Sequence, residues 1–202
     1  MTYCVGIKLN AGLVFLSDSR TNAGLDQFST FRKMMVYERA GDRFMVLLSA
    51  GNLSISQSVR EILQVEKLEH GTGVPLTIWN ATSMFDAARV LGSAVRRVYD
   101  QDGPSLRQSG IEFNASFIFG GQIGNESMRL FLVYSAGNFI EATRETCYFQ
   151  MIRGTWGQRL RQVFESIEDP QWGGGATSTP LLVGSSRYEP MKKITHPSEK
   201  II

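Results

Sequence analysis

The sequence predicts an α+β fold in which antiparallel hairpin strands are layered against two helices. Four strand-like runs occur in the first fifty residues at hairpin spacing, two amphipathic stretches follow, and strands then return through Gly-rich turns. Because the strands come as hairpins and not singly between helices, a parallel βαβ sheet is disfavoured. A chain of 202 residues suits one domain large enough to bury a core.

Residues 3–9 and 13–18 read as strands, and Asn10-Ala11-Gly12 between them tolerates the positive φ of a tight turn. Residues 19–31 are polar, contain Gly24 and Asp26, and read as a loop. A second strand pair follows, Lys33–Arg39 and Arg43–Ser49, turned at Ala40-Gly41-Asp42. From Asn52 the period lengthens: Ile55, Val59, Ile62, Leu63 and Val65 share one helical face, with Leu53, Ser54 and Ser56 as capping candidates. Gly71–Pro75 breaks that pattern. A second helix is predicted over Met84–Tyr99, with Met84, Ala87, Ala88, Leu91, Val95 and Val98 in one stripe and Gly103-Pro104 as its stop. Strands are predicted again at Asn114–Phe119, Arg129–Tyr134 and Asn138–Ala142. Beyond residue 145, Trp156–Ile167 reads as an amphipathic helix and 173–180 as a flexible linker. Residues 181–202 show little periodicity and are expected to be poorly ordered. The resulting division is a main domain at 1–150, a helical segment at 151–172 and a flexible tail at 173–202.

Composition narrows the function. A formal net charge of +2, with no basic stripe interleaved with aromatics, gives no reason to expect nucleic acid. No run of about 18 apolar residues is present, so no membrane association is expected. The N-terminus lacks the pattern of a signal peptide. Two cysteines, Cys4 and Cys147, make no disulfide framework, and a reducing cytoplasm is the expected compartment.

The chemistry concentrates at the start of the chain. Thr2 follows the initiator Met, and a side chain that small favours methionine removal. A free N-terminal Thr carries a nucleophile and a base in one residue, because its amine can take the proton from its own hydroxyl. Cys4 shares the strand face of Thr2 but reads as a small core residue, and Cys147 has no base near it in sequence. His70 and His196 lack metal-ligand spacing, so neither a metal nor another cofactor is expected. Gly120-Gly121-Gln122-Ile123-Gly124 lacks the Lys-Ser/Thr of a phosphate loop and reads as a connector between strands.

Thr2, the first hairpin and Ser17-Asp18-Ser19-Arg20 resemble the β-subunits of proteasomes, which are N-terminal nucleophile hydrolases. That family opens its first strand with Thr and ends the second with Asp. It places Lys at the start of the third strand and a small-Ala-Gly turn after the fourth. Thr2, Asp18, Lys33 and Ser49-Ala50-Gly51 match in that order. The wording TYCVGIKLNAGLVFLSDSR, FRKM and LLSAGN is most similar to the bacterial Anbu branch, over about residues 2–150. The resemblance implies an αββα sandwich of antiparallel sheets and a homo-oligomer. It also implies hydrolysis of a polypeptide substrate by Thr2. Lys33 would favour the neutral α-amine by like-charge repulsion, and Asp18 would hold Lys33 in place and charged. The Gly51 N–H would stabilise the oxyanion, a contribution of about 3–4 kcal/mol for one donor. Arg20 would serve the electrostatics or the substrate-binding wall. Taken singly, each residue also has an ordinary reading: Asp18 as a loop start, Lys33 as a solvated strand-end lysine, Gly51 as a turn.

The sequence departs from the family after residue 140. The helices and strands expected there are missing. Glu145–Gln150 runs instead into a Trp156–Trp172 segment that resembles the family's C-terminus, as an internal deletion at Tyr148-Phe149-Gln150 would produce. The lost elements would include part of the shell that orients Thr2, and a slip of about 1 Å costs on the order of a hundredfold in rate. A threonine peptidase, a silent assembly subunit and a small-amide hydrolase therefore all remain open at this point.

Overall fold

A computed structural model describes residues 2–18, 20–22, 28–30, 32–69, 74–153, 181–185 and 192–194. Two stacked sheets and two helices form three layers. The first sheet has the order β10-β1-β2-β11-β12, built from β1 (Thr2–Leu9), β2 (Gly12–Ser17), β10 (Tyr148–Arg153), β11 (Leu181–Ser185) and β12 (Lys192–Ile194). The second has the order β5-β6-β7-β8-β9, from β5 (Met34–Arg39), β6 (Arg43–Gly51), β7 (Ala115–Ile123), β8 (Arg129–Val133) and β9 (Phe139–Glu141). The helices α1 (Leu53–Val65) and α2 (Met84–Gln108) cover the outer face of the second sheet. All neighbours are antiparallel except β11, which runs parallel to β2.

Period-two alternation sorts each central strand between two cores. Met45 and Leu47 of β6, Phe117 and Phe119 of β7, and Phe131 and Val133 of β8 face the helices, meeting Val59, Leu63, Leu91 and Val95. Val46, Leu48, Ile118 and Leu130 face the other way, against Cys4, Leu13, Phe15, Phe149 and Met151 of the first sheet. The Phe15 ring is central to this second core. A Cβ at Gly6 or Gly120 would approach it at 3.4 or 3.0 Å, so both glycines make room for the sheets to close on the ring.

The predicted class and element order hold, and several boundaries differ. Residues 19–31 are not wholly loop, because β3 (Arg20–Asn22) and β4 (Phe28–Thr30) pair as a short hairpin. Asn52, not the residues after it, caps α1: its Oδ1 accepts from the Ser54 N–H at 3.0 Å. Val65 lies off the buried stripe of α1 and is exposed. Strand β7 runs to Ile123, so Gly120 and Gly121 belong to a strand and not to a connector. Their purpose is close approach: a Cβ on Gly121 would stand 2.1 Å from the Phe44 carbonyl oxygen, and the turn begins only at Gly124.

Pro104 does not end α2, which continues to Gln108. A proline removes one hydrogen bond, and the carbonyl it would have served belongs to Asp100, a solvent-exposed residue, so the loss is not that of a buried acceptor. Leu106 packs onto the helix-side core and holds the last turn, and the Ile111 N–H donates to its carbonyl at 2.8 Å. Past residue 145, β10 is a strand beside β1, and the division placed after residue 150 falls inside it. In the segment expected to be poorly ordered, β11 and β12 add to the free edge of β2. The helix predicted at Trp156–Ile167, the linker at 173–180 and both histidines lie outside the described residues. One helical layer is present among the described residues.

Candidate active site

The site residues lie where the start of β1 meets the end of β2, the lead-in to β5 and the end of β6. Thr2 opens β1 opposite Arg153 of β10. Asp18 follows the last residue of β2, and its N–H donates to the Tyr3 carbonyl at 3.0 Å, which carries the antiparallel pairing one step past the strand. Its side chain turns back on β1. Asp18 Oδ1 accepts the Tyr3 N–H at 2.9 Å, fixing the peptide unit that follows Thr2.

The same carboxylate receives Lys33. Lys33 Nζ donates to Asp18 Oδ1 at 2.7 Å and to Oδ2 at 2.8 Å, and the lysine side chain is only 6% exposed against 22% for Asp18. Lys33 is thus not a solvated strand-end lysine. An ammonium this deeply buried requires a counter-charge, and Asp18 supplies one at full hydrogen-bond contact. Sequence spacing alone could not reveal that Asp18 and Lys33, fifteen residues apart, share one ion pair.

Ser49 ties Lys33 to the neighbouring strand. Its N–H donates to the Lys33 carbonyl at 3.0 Å and its Oγ to the same oxygen at 3.4 Å. The Ser49 carbonyl in turn accepts from Cys4 Sγ at 3.7 Å, which links the start of β1 to the end of β6. Cys4 is fully buried, and burial, reinforced by the Asp18 carboxylate, pushes its thiol well above the ordinary range although Lys33 works against it. The thiol is therefore a neutral donor at physiological pH and not a nucleophile, which agrees with its reading as a core residue.

Ser49, Ala50 and Gly51 complete β6 and are not a turn beyond it. Gly51 sits at φ +114°, and a Cβ there would lie 2.3 Å from the Asn114 carbonyl oxygen. That oxygen also accepts the Asn52 N–H at 2.7 Å. Both the conformation and the contact demand glycine at 51. Arg20 opens β3 opposite Thr30, beyond Asp18.

The structure thus brings Asp18 and Lys33 together beside the first peptide of β1 and places Gly51 at the end of the strand bonded to Lys33. Two contributors carried no signal in the sequence. The Tyr3 N–H is a backbone donor, and Ser49 read only as the small residue before Ala-Gly. Among the described residues no group of three or more His, Cys, Asp or Glu is placed to hold a metal.

Two stacked sheets with a helical layer, and a Thr-led first strand whose neighbouring Asp pairs with a buried Lys, define a proteasome-type β-subunit of the N-terminal nucleophile class. Comparison with solved structures narrows this. The chain is similar to Anbu from Hyphomicrobium sp. strain MC1, a Gly-1 mutant, at 42% identity and TM-score 0.67 over 81% of this chain and 65% of that one. It is similar to the Anbu ancestral β-subunit from Yersinia bercovieri at 42% identity and TM-score 0.66, over 80% of this chain and 64% of that one. It also matches the helical assembly of the Anbu complex from Pseudomonas aeruginosa at 30% identity and TM-score 0.69, over 97% of this chain and 88% of that one. The chain belongs to the Anbu family of proteasome-like β-subunits. It spans about 65% of the length of the Hyphomicrobium and Yersinia proteins. No protein-family model matches the chain, and a search of curated proteins finds no match.

Proposed function

We propose that this chain acts as a threonine peptidase of the proteasome type, with Thr2 as nucleophile after removal of Met1. The observation that carries the reading is the Asp18 carboxylate, which bonds both the peptide N–H following Thr2 and the buried Lys33 ammonium. Thr2 Oγ attacks the carbonyl carbon of a polypeptide substrate while its own α-amine takes the hydroxyl proton. The Lys33 charge favours the unprotonated amine, and Asp18 holds that charge in place. The Gly51 N–H serves the developing oxyanion, and Arg20 contributes to the substrate wall. The amine returns its proton to the leaving nitrogen, and water then hydrolyses the ester formed on Thr2.

Assembly supports the same reading. A relative in this family forms a helical assembly, and we infer that this chain also works as a homo-oligomer, in the cytoplasm, acting on polypeptide. No described helix is long and apolar enough to cross a membrane. The shorter length relative to the Hyphomicrobium and Yersinia proteins favours one second reading, a subunit that assembles without turning over substrate.

Intact-mass measurement with and without a Thr-directed epoxyketone separates the two. A covalent adduct on a Met-free chain, absent in Thr2→Ala, supports the peptidase. A Met-free chain that takes no adduct supports the silent subunit, and retained Met1 ends the catalytic reading.

A further inference from the structure

A second cation reaches the segment that carries Lys33. Arg60 lies in α1, on the helical layer, yet its Nη1 donates to the Arg32 carbonyl at 3.3 Å and its Nη2 lies against Met35 Sδ. These contacts bracket Lys33 in the chain. Arg32 and Lys33 precede β5, and the β5–β6 pairing reaches only as far as the Lys33 carbonyl. On the opposite side, the Ser49 N–H and Oγ hold the Lys33 carbonyl.

We propose that Arg60 is a positioning residue for Lys33: its guanidinium clamps the Arg32–Met35 segment to α1 so that the Lys33 ammonium meets the Asp18 carboxylate. The geometry suits arginine and not lysine. A planar guanidinium bonds the carbonyl with one N–H while its flat face and second nitrogen pack against the thioether, whereas an ammonium is a single point on a flexible stem. Arg60 touches no reacting atom. Its effect passes through the backbone around Lys33, where a displacement of about 1 Å exceeds the tolerance of two bonds made by one ammonium. The clamp itself needs only the geometry described here, while its catalytic consequence rests on the peptidase reading.

The test compares wild type, Arg60→Met and Arg60→Lys by reductive methylation followed by peptide mass spectrometry. The exposed Lys67 serves as internal reference. In the folded wild type, Lys33 is expected to methylate far more slowly than Lys67. Arg60→Met is expected to raise the Lys33-to-Lys67 ratio about tenfold, with Arg60→Lys in between. If Arg60→Met does not fold, the Arg60→Lys ratio decides alone. An unchanged ratio in a folded variant overturns the proposal. Epoxyketone inactivation supplies the catalytic arm: the maximal rate is expected to fall about tenfold in Arg60→Met at unchanged inhibitor affinity. A wild type that takes no adduct defeats the peptidase reading, and the methylation ratio still decides the role of Arg60.

Discussion

Replacing Asp18 by Asn keeps the shape of the side chain and removes its charge. Asn Oδ1 still accepts the Tyr3 N–H, so the local backbone is retained. What is lost is the counter-charge of an ammonium whose side chain is 6% exposed. Removing one partner of a buried ion pair costs about 3–5 kcal/mol, and the 22% exposure of Asp18 reduces that to about 2–3 kcal/mol here. Lys33→Met leaves the better-solvated carboxylate behind and is expected to cost about 1–2 kcal/mol. The double variant buries no stranded charge. It is expected within about 1 kcal/mol of wild type, where simple addition would place it about 4 kcal/mol below. Urea unfolding followed by tryptophan fluorescence and far-ultraviolet circular dichroism reads all four proteins. In heat, Asp18→Asn alone is expected to lower Tm by about 4–12 °C for a chain of this size. Additive losses in the double variant would refute the reasoning, since they would mean that Asp18 and Lys33 stabilise the fold independently. None of the three variants is expected to label normally with the epoxyketone, so recovered stability without recovered labelling separates the structural role of the pair from its chemical one.

Other consequences follow from single contacts. Cys4 is fully buried with its thiol held neutral, so iodoacetamide is expected to modify Cys147 in the native protein and Cys4 only in denaturant; equal native labelling would contradict the burial. Gly92→Ala would gain about 1 kcal/mol in an isolated helix, but here its methyl would stand 2.2 Å from the Gly137 carbonyl oxygen. That oxygen also accepts from Arg96, so a net loss of about 1–2 kcal/mol is expected, and a raised Tm would show that the β8–β9 turn yields freely. Arg129 donates to Glu141 at 2.8 Å and holds its carboxyl below the ordinary value. The unfolded chain then binds the proton more readily, so this stabilisation is complete above the ordinary value of 4.5 and fades as pH falls through the lowered folded one. Glu141→Gln is therefore expected to flatten the acid limb of the Tm–pH curve, and an unaltered limb would assign that limb to other groups.

The elements legible in the sequence were those whose cause is local. The hairpin at Asn10-Ala11-Gly12, the strand at Arg43–Ser49 and the stripe from Met84 to Val98 each follow from side chains within a few residues, and each is present. Pro104 misled because its local cost is real, but Leu106 beyond it finds the helix-side core. Gly120 and Gly121 misled for the converse reason. They resemble a turn, yet their function is to let the Phe15 ring and the Phe44 carbonyl come close. Strand β10 showed no strong strand pattern of its own and is held by pairing with β1.

The candidate site divides along the same line. Thr2 was readable from its own chemistry, while Asp18, Lys33 and Gly51 were picked out only by their order in the family resemblance, each having an ordinary reading when taken singly. Their meeting was not readable from the residues themselves; only the family resemblance implied that Asp18 holds Lys33. Asp18 bonds Tyr3 across a hairpin, Lys33 arrives from the second sheet, and Ser49 and Arg60 hold it from a strand and a helix. A side chain's chemistry belongs to its residue, whereas a 2.7 Å contact between a buried ammonium and a carboxylate exists only once two sheets have closed around a common core.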